Sequence, residues 1–342
     1  WSSISAAMIS HKPGEVAAAM ATFVRDRLHD MATRFFPDGD LPDYLAGYPI
    51  GGNERADLAF VLMHLHELGD QNFLGHPIQD WLTRLLSRGI HGPSVMTFYS
   101  YRIAETLAAF GPFADNPLLT GMSEAQRANL VVAVDSTSIC DLAAVTLKGL
   151  PNNYWAVLAR CEMARQRLGL LPDTRYLDLA LARTQACLAR NPLGFFDDSP
   201  DFSQRYDLYS FDSHLFCEPF WDRLPAALLR DNLAAHTAAY DRLVMANGAL
   251  VAWGRSVGAL SVCMTMEYGA LALRYQLASQ PARTLALVHH ALEAFRDWYQ
   301  DGLIAAHRGR MTFGYRGPHR LLQMSLDCLG KLAWAALQLQ QV

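Results

Sequence analysis

Helical periodicity runs through this 342-residue chain from end to end, and in places the apolar residues continue right round the helix. Leu58-Ala59-Phe60-Val61-Leu62-Met63 and Val257-Gly258-Ala259-Leu260-Ser261-Val262-Cys263-Met264 are the clearest cases. A helix apolar on more than one face has to be covered on both sides, which demands an inner and an outer helical layer. No segment sustains the two-residue alternation of a half-buried strand, so the chain reads as all-α. The periodicity predicts helices over Glu15–Phe35, Glu54–Leu68, Ile78–Arg88, Val95–Phe110, Ser123–Val134, Thr137–Lys148, Asn153–Gly169, Tyr176–Ala189, Phe211–Leu224, Leu228–Ala246, Val257–Ala278, Ala282–Gln300 and His319–Leu339. Gly69, Gly89, Gly111, Gly169 and Gly248 stand where helices should stop, and the short connections imply antiparallel neighbours. About twelve helices in two concentric layers make six hairpins, so the expected architecture is one (α/α)6 toroid domain spanning 1–342.

Composition agrees with an extensive core, since 51% of residues are hydrophobic and only 18% are charged. With 29 basic against 33 acidic side chains, no field of the strength that nucleic acid or an anionic membrane would need is present. No apolar run reaches the roughly 18 to 20 residues of a bilayer span, so a soluble protein is expected. The chain begins Trp1-Ser2-Ser3, and its compartment stays open between the cytoplasm, which is favoured, and a secreted or periplasmic location after processing. Six cysteines, Cys140, Cys161, Cys187, Cys217, Cys263 and Cys328, lack zinc-like spacing and lie mostly in apolar helical stretches, where buried free thiols are expected. Nothing calls for a metal or another cofactor.

The longest irregular stretch, 191–210, contains five aromatic residues and so should line something rather than be disordered. It belongs to a set of four polar-aromatic clusters at helix junctions: Pro151 to Trp155, Arg205 to His214, Trp253 to Ser256, and Gly314 to Arg320. Aromatic rings stack on sugar faces while fixed amides, carboxylates and guanidinium groups take the hydroxyls, so these clusters suit a glycan pocket. Asn152 and Asn153 are candidates for substrate contact, with a helix cap as the competing use. Trp155, Arg205, Tyr206 and Trp253 are further candidates for binding. Arg255, at the start of a helix where free N–H groups and the dipole converge, suits a carboxylate, or else a structural ion pair; Arg316 and His319 are a second anion contact. Asp207, Tyr209, His214 and Glu218 are the catalytic candidates, although Pro219 biases Glu218 away from helical angles.

Other patterns carry less. His64-Leu65-His66-Glu67 puts its histidines on different helix faces, and His289-His290 fails for a similar reason. Asp197-Asp198 resembles the acidic pair of terpene synthases only superficially, with no second metal-binding motif. The familiar nucleotide and serine-hydrolase motifs are absent.

In order and spacing, Asn152-Asn153-Tyr154-Trp155, then Gly194-Phe195-Phe196-Asp197-Asp198 leading to Tyr206-Asp207-Leu208-Tyr209, then Gly254-Arg255-Ser256, the chain resembles the six-hairpin toroid enzymes of polysaccharide breakdown. The likeness covers Asn152 to about Tyr275 and points to a poorly characterised bacterial group related to glucuronidase-like hydrolases and uronate-polymer lyases. Alginate-lyase-like toroids carry a histidine where this chain has Tyr154. The resemblance implies degradation of a uronic-acid-containing oligo- or polysaccharide. Hydrolysis would use Asp207 and Glu218 as acid and base, with Asp212 and Glu267 in reserve. β-Elimination would neutralise the substrate carboxylate with Asn153 and Arg255 and take the proton with Tyr209 or His214. A sugar epimerase or a non-catalytic glycan-binding protein is the remaining alternative.

Overall fold

A computed structural model describes residues 11–38, 41–45, 48–88, 99–191, 193–206, 209–250, 258–304 and 321–342. Among these it is mostly helical, with α1 (Pro13–Phe35), α2 (Gly52–Glu67), α3 (Ile78–Ser87), α4 (Tyr99–Ala109), α5 (Glu124–Ala133) and α6 (Asn153–Leu168) in the first half. The second half supplies α7 (Arg175–Leu188), α8 (Tyr209–Cys217), α9 (Ala226–Leu243), α10 (Ala259–Arg274), α11 (Pro281–Arg296) and α12 (Leu321–Leu339). Three two-residue antiparallel ladders decorate the connections, for example Tyr299–Gln300 with Leu303–Ile304.

Local chemistry sets the boundaries. Ser123 Oγ accepts the Gln126 N–H at 3.2 Å while Gln126 Oε1 accepts the Ser123 N–H at 2.8 Å, a reciprocal cap that starts α5. Gly169 closes α6 at φ +74°, where a side chain would be strained. Two predicted helices differ. The span 137–148 holds only a 3₁₀ turn, Thr137–Ile139, followed by tight turns. Asp141 Oδ1 accepts the N–H groups of both Ala143 and Ala144 at 3.0 Å, and this side-chain capture competes with helical bonding. The helix expected over 211–224 ends at Cys217 and gives way to a 3₁₀ segment, Glu218–Arg223, because Pro219 lacks the N–H that α-helical bonding needs.

Burial divides the helices into two kinds. α10 is buried without a break from Ala259 to Leu273, and α4 from Tyr99 to Leu107. By contrast α3 buries one stripe (Ile78, Trp81, Leu82, Leu85, Leu86) and α7 another (Leu177, Ala180, Thr184, Cys187, Leu188). Packing explains the difference. α2 packs against α4, α4 against α6, α6 against α8, α8 against α10, α10 against α12, and α12 returns to α2, closing a circuit of contacts. α1 covers α12, α3 covers α2, α7 covers α6 and α11 covers α10, so α2, α6, α10 and α12 are sandwiched and α1, α3, α7 and α11 keep a solvated side. At Gly269 of α10 an added Cβ would lie 2.4 Å from Val288 of α11 and 2.7 Å from the Tyr240 hydroxyl, so these layers touch through a glycine.

All six cysteines are buried free thiols. Among the described residues no helix is long and apolar enough to cross a membrane.

Candidate functional site

Two of the clusters singled out above stand, in the described residues, at the starts of α6 and α8. The first is anchored from within. Asn152 donates its amide hydrogens to the carbonyls of Asp197 at 3.0 Å and Ser199 at 2.5 Å, so it pins the 193–206 loop. It makes no side-chain cap; the N–H of Asn153 is capped at 2.9 Å by Asp198, across the chain. Asp198 also pairs with Arg205 at 2.9 Å. Asp197 accepts from the Ser199 N–H and hydroxyl and from the N–H groups of Gln204 and Arg205. The acidic pair is therefore buried loop scaffolding, with both carboxylates saturated by hydrogen-bond donors.

Five further sequence candidates fall among the described residues. Trp155 is buried, with the Arg183 guanidinium 5.6 Å above its ring, and Tyr206 is half-buried. Asn153 is buried with its Oδ1 unbonded. His214 is fully buried, bonds the Gly194 carbonyl at 2.8 Å through Nε2 and packs 4.2 Å from His236. Burial pushes its pKa down to about 4, only partly offset by the Gly194 carbonyl. A neutral imidazole walled in by Phe211, His236 and Tyr268 is placed to support packing rather than to meet substrate. Glu218 accepts from Arg274 at 3.3 Å and from the Tyr275 hydroxyl at 2.5 Å, near the C-terminal end of α10. Asp207, Trp253, Arg255, Arg316 and His319, and the side chain of Tyr209, lie outside the described residues.

A small cleft opens among the even-numbered helices; its interior measures about 30 Å³, within about 460 Å³ of space that includes open solvent. Asp57 of α2, Arg102 of α4, Arg160 of α6, Glu267 of α10, and Asp327 and Lys331 of α12 supply its charges. Phe60, Tyr101, Phe216 and Trp334 supply aromatic wall. Arg102 joins Asp57 to Asp327, the latter at 2.5 Å, and its Nε reaches the Tyr101 hydroxyl at 3.3 Å. Arg160 is held by both oxygens of Glu105. Lys331 spans Asp212 of α8, at 3.1 Å, and Glu267, at 3.3 Å. Among the described candidates, Glu218, Asn152, Asn153, Trp155, Arg205 and Tyr206 do not line this cleft, whereas Glu267 does, and Asp212 reaches it through Lys331.

Burial controls the protonation states. It raises the Asp57 carboxyl to about 7, against the opposing pull of Arg102. It raises Glu267 to about 8, against Lys331 and with the help of Asp212. The Lys331 ammonium suffers the same desolvation, yet its carboxylate neighbours hold it well above its usual range. Two carboxyl groups thus share one ammonium, and one of them, Glu267, keeps a proton near neutral pH. The arrangement provides a buried acid able to donate a proton beside carboxyl groups paired with Arg102 and Lys331.

These residues carry a recognisable signal: a charge with apolar neighbours on either side in a helical run, as in Ala56-Asp57-Leu58, Met266-Glu267-Tyr268 and Leu326-Asp327-Cys328. Charges on a helix buried on both sides can only face one another or a cavity. No arrangement of three or more metal-ligating side chains occurs among the described residues. Comparison with models of known protein families and with characterised proteins returns no match to the chain.

Proposed function

We propose that the chain is an (α/α)6 toroid carbohydrate-active enzyme, a glycoside hydrolase acting on a uronic-acid-containing oligo- or polysaccharide. The closed circuit α2-α4-α6-α8-α10-α12, four of whose members are backed by an odd-numbered helix, supports the toroid. The observation that carries the activity is the cleft within that circuit, where a protonated carboxyl and ion-paired carboxylates face aromatic walls. Glu267 is the general acid, giving its proton to the glycosidic oxygen as the bond to the anomeric carbon breaks. Asp327, paired with Arg102, is the ionised partner that activates water or meets the sugar cation, and Asp212 positions Lys331. The substrate carboxylate is assigned to Arg255, at the entry to α10.

One feature favours elimination instead. Tyr101 lines the cleft between two guanidinium groups, 5.6 Å from Arg102 and 4.8 Å from Arg160, and its phenol oxygen accepts from Arg102 Nε. Incubation with a panel of uronic-acid glycans separates the two: hydrolysis yields reducing ends without the absorbance of an unsaturated uronate. Absorbance would overturn hydrolysis in favour of Tyr101, and neither signal on any glycan would overturn both. Glu267→Gln should lower the hydrolytic kcat by roughly 10²- to 10⁴-fold. Arg255→Met should raise KM for acidic substrates alone; an equal rise for neutral ones would refute the role given to Arg255.

A further inference from the structure

The cleft carries more acid than base. Among the described residues five carboxyl groups, Asp57, Glu105, Asp212, Glu267 and Asp327, surround three cations, Arg102, Arg160 and Lys331. Every one of those cations is already committed: Arg102 to Asp57 and Asp327, Arg160 to both oxygens of Glu105, and Lys331 to Asp212 and Glu267. A ligand carboxylate entering here would have to displace one of these partners. Asp57 offers the converse. It lines the cleft at 2% exposure, and among the described residues its Oδ2 accepts no hydrogen bond. A buried acceptor without a donor is uncommon in a folded protein and calls for one. The rings of Phe60, Tyr101, Phe216 and Trp334 line the same space, and the face of an aromatic ring attracts cations.

From this juxtaposition we infer that the cleft binds a protonated amine, which donates to Asp57 Oδ2 against the aromatic walls. Resting on the hydrolase reading, the sugar seated there is an amino sugar with its amine free. Its N-acyl counterpart is excluded, because acylation removes the charge and adds bulk. The uronate met by Arg255 then belongs to a neighbouring residue of the same glycan, which carries both charges. Desolvation holds part of the Asp57 population protonated near neutrality, so arrival of a cation should expel a proton from it.

Calorimetric titration of the full chain at pH 6.5 with glucosamine, N-acetylglucosamine and glucuronate tests this without turnover. Glucosamine should bind at least about ten-fold more tightly than the other two. Its heat should vary with the ionisation enthalpy of the buffer, reporting the expelled proton. Asp57→Asn should abolish both the preference and the proton release, and Trp334→Leu should weaken glucosamine binding. Equal affinities, a preference for glucuronate, no binding of glucosamine, or a preference that survives in folded Asp57→Asn would overturn the inference. The wild-type comparison stands even where the Asp57 variant does not fold. An amine preference without cleavage of any glycan would refute the hydrolase alone, and cleavage without the preference would refute the amine site alone.

Discussion

Acid should destabilise this protein through His214 in a way that a neutral replacement cures. His214 is wholly buried, with its Nε2 on the Gly194 carbonyl at 2.8 Å and its Nδ1 without a partner among the described residues, so that carbonyl alone compensates its charged form there. Its pKa falls from 6.5 to about 4 on folding. Between those values the unfolded chain binds the proton and the native chain does not, so stability is lost as pH falls from 6.5 towards 4. Two and a half pH units correspond to about 3 kcal/mol. The neighbouring His236, whose ring nitrogens are both unbonded, is lowered in the same direction by burial. His214→Gln keeps a donor for Gly194 and cannot titrate. Urea unfolding of wild type and variant, followed by far-ultraviolet circular dichroism between pH 7.5 and 4.5, isolates the effect because every other titrating group cancels in the difference. The variant should gain steadily on wild type below pH 6.5, approaching about 3 kcal/mol near pH 4. A stability difference that does not change with pH would refute a buried neutral His214 and return it to the list of candidate bases.

Glu267 should behave with the opposite sign: its raised pKa of about 8 means the native state holds the proton, so wild-type stability falls as pH rises from about 5 through 8. Glu267→Gln should therefore gain in Tm relative to wild type at pH 8.5 compared with pH 6, and no such gain would place Glu267 in solvent. Gly194→Ala puts a Cβ 2.5 Å from the Asn232 carbonyl and 2.7 Å from the His236 nitrogen at φ +78°, so it should cost about 2 to 4 kcal/mol in denaturant unfolding. Asn152→Ala removes two buried hydrogen bonds to the 193–206 loop; a loss of about 1 to 3 kcal/mol and faster proteolytic cleavage within that loop are expected.

Much of the fold is legible because helices announce themselves locally. The Ser123 and Gln126 pair and Gly169 mark boundaries within a residue or two, and the all-round apolar run through Cys263 and Met264 marks a sandwiched helix. Segment 137–148 misled because its apolar spacing is helical while Asp141 diverts the backbone hydrogen bonds, a competition invisible to periodicity. The candidate site divides in the same manner. Loop residues near helix starts are attractive by type, but Asn152, Asp197 and Asp198 spend their polar atoms on one another's backbone, which no spacing rule could reveal.

The sequence by itself determined most of the helices, though not 137–148, and which of them are apolar all round, since both follow from propensity and the periodicity of apolar side chains. Only the tertiary structure decided which charges meet. Asp57, Arg102, Glu267, Asp327 and Lys331 come from four helices, up to 274 positions apart in the chain. Their convergence depends on α12 closing against α2, and their protonation depends on the desolvation that this closure imposes.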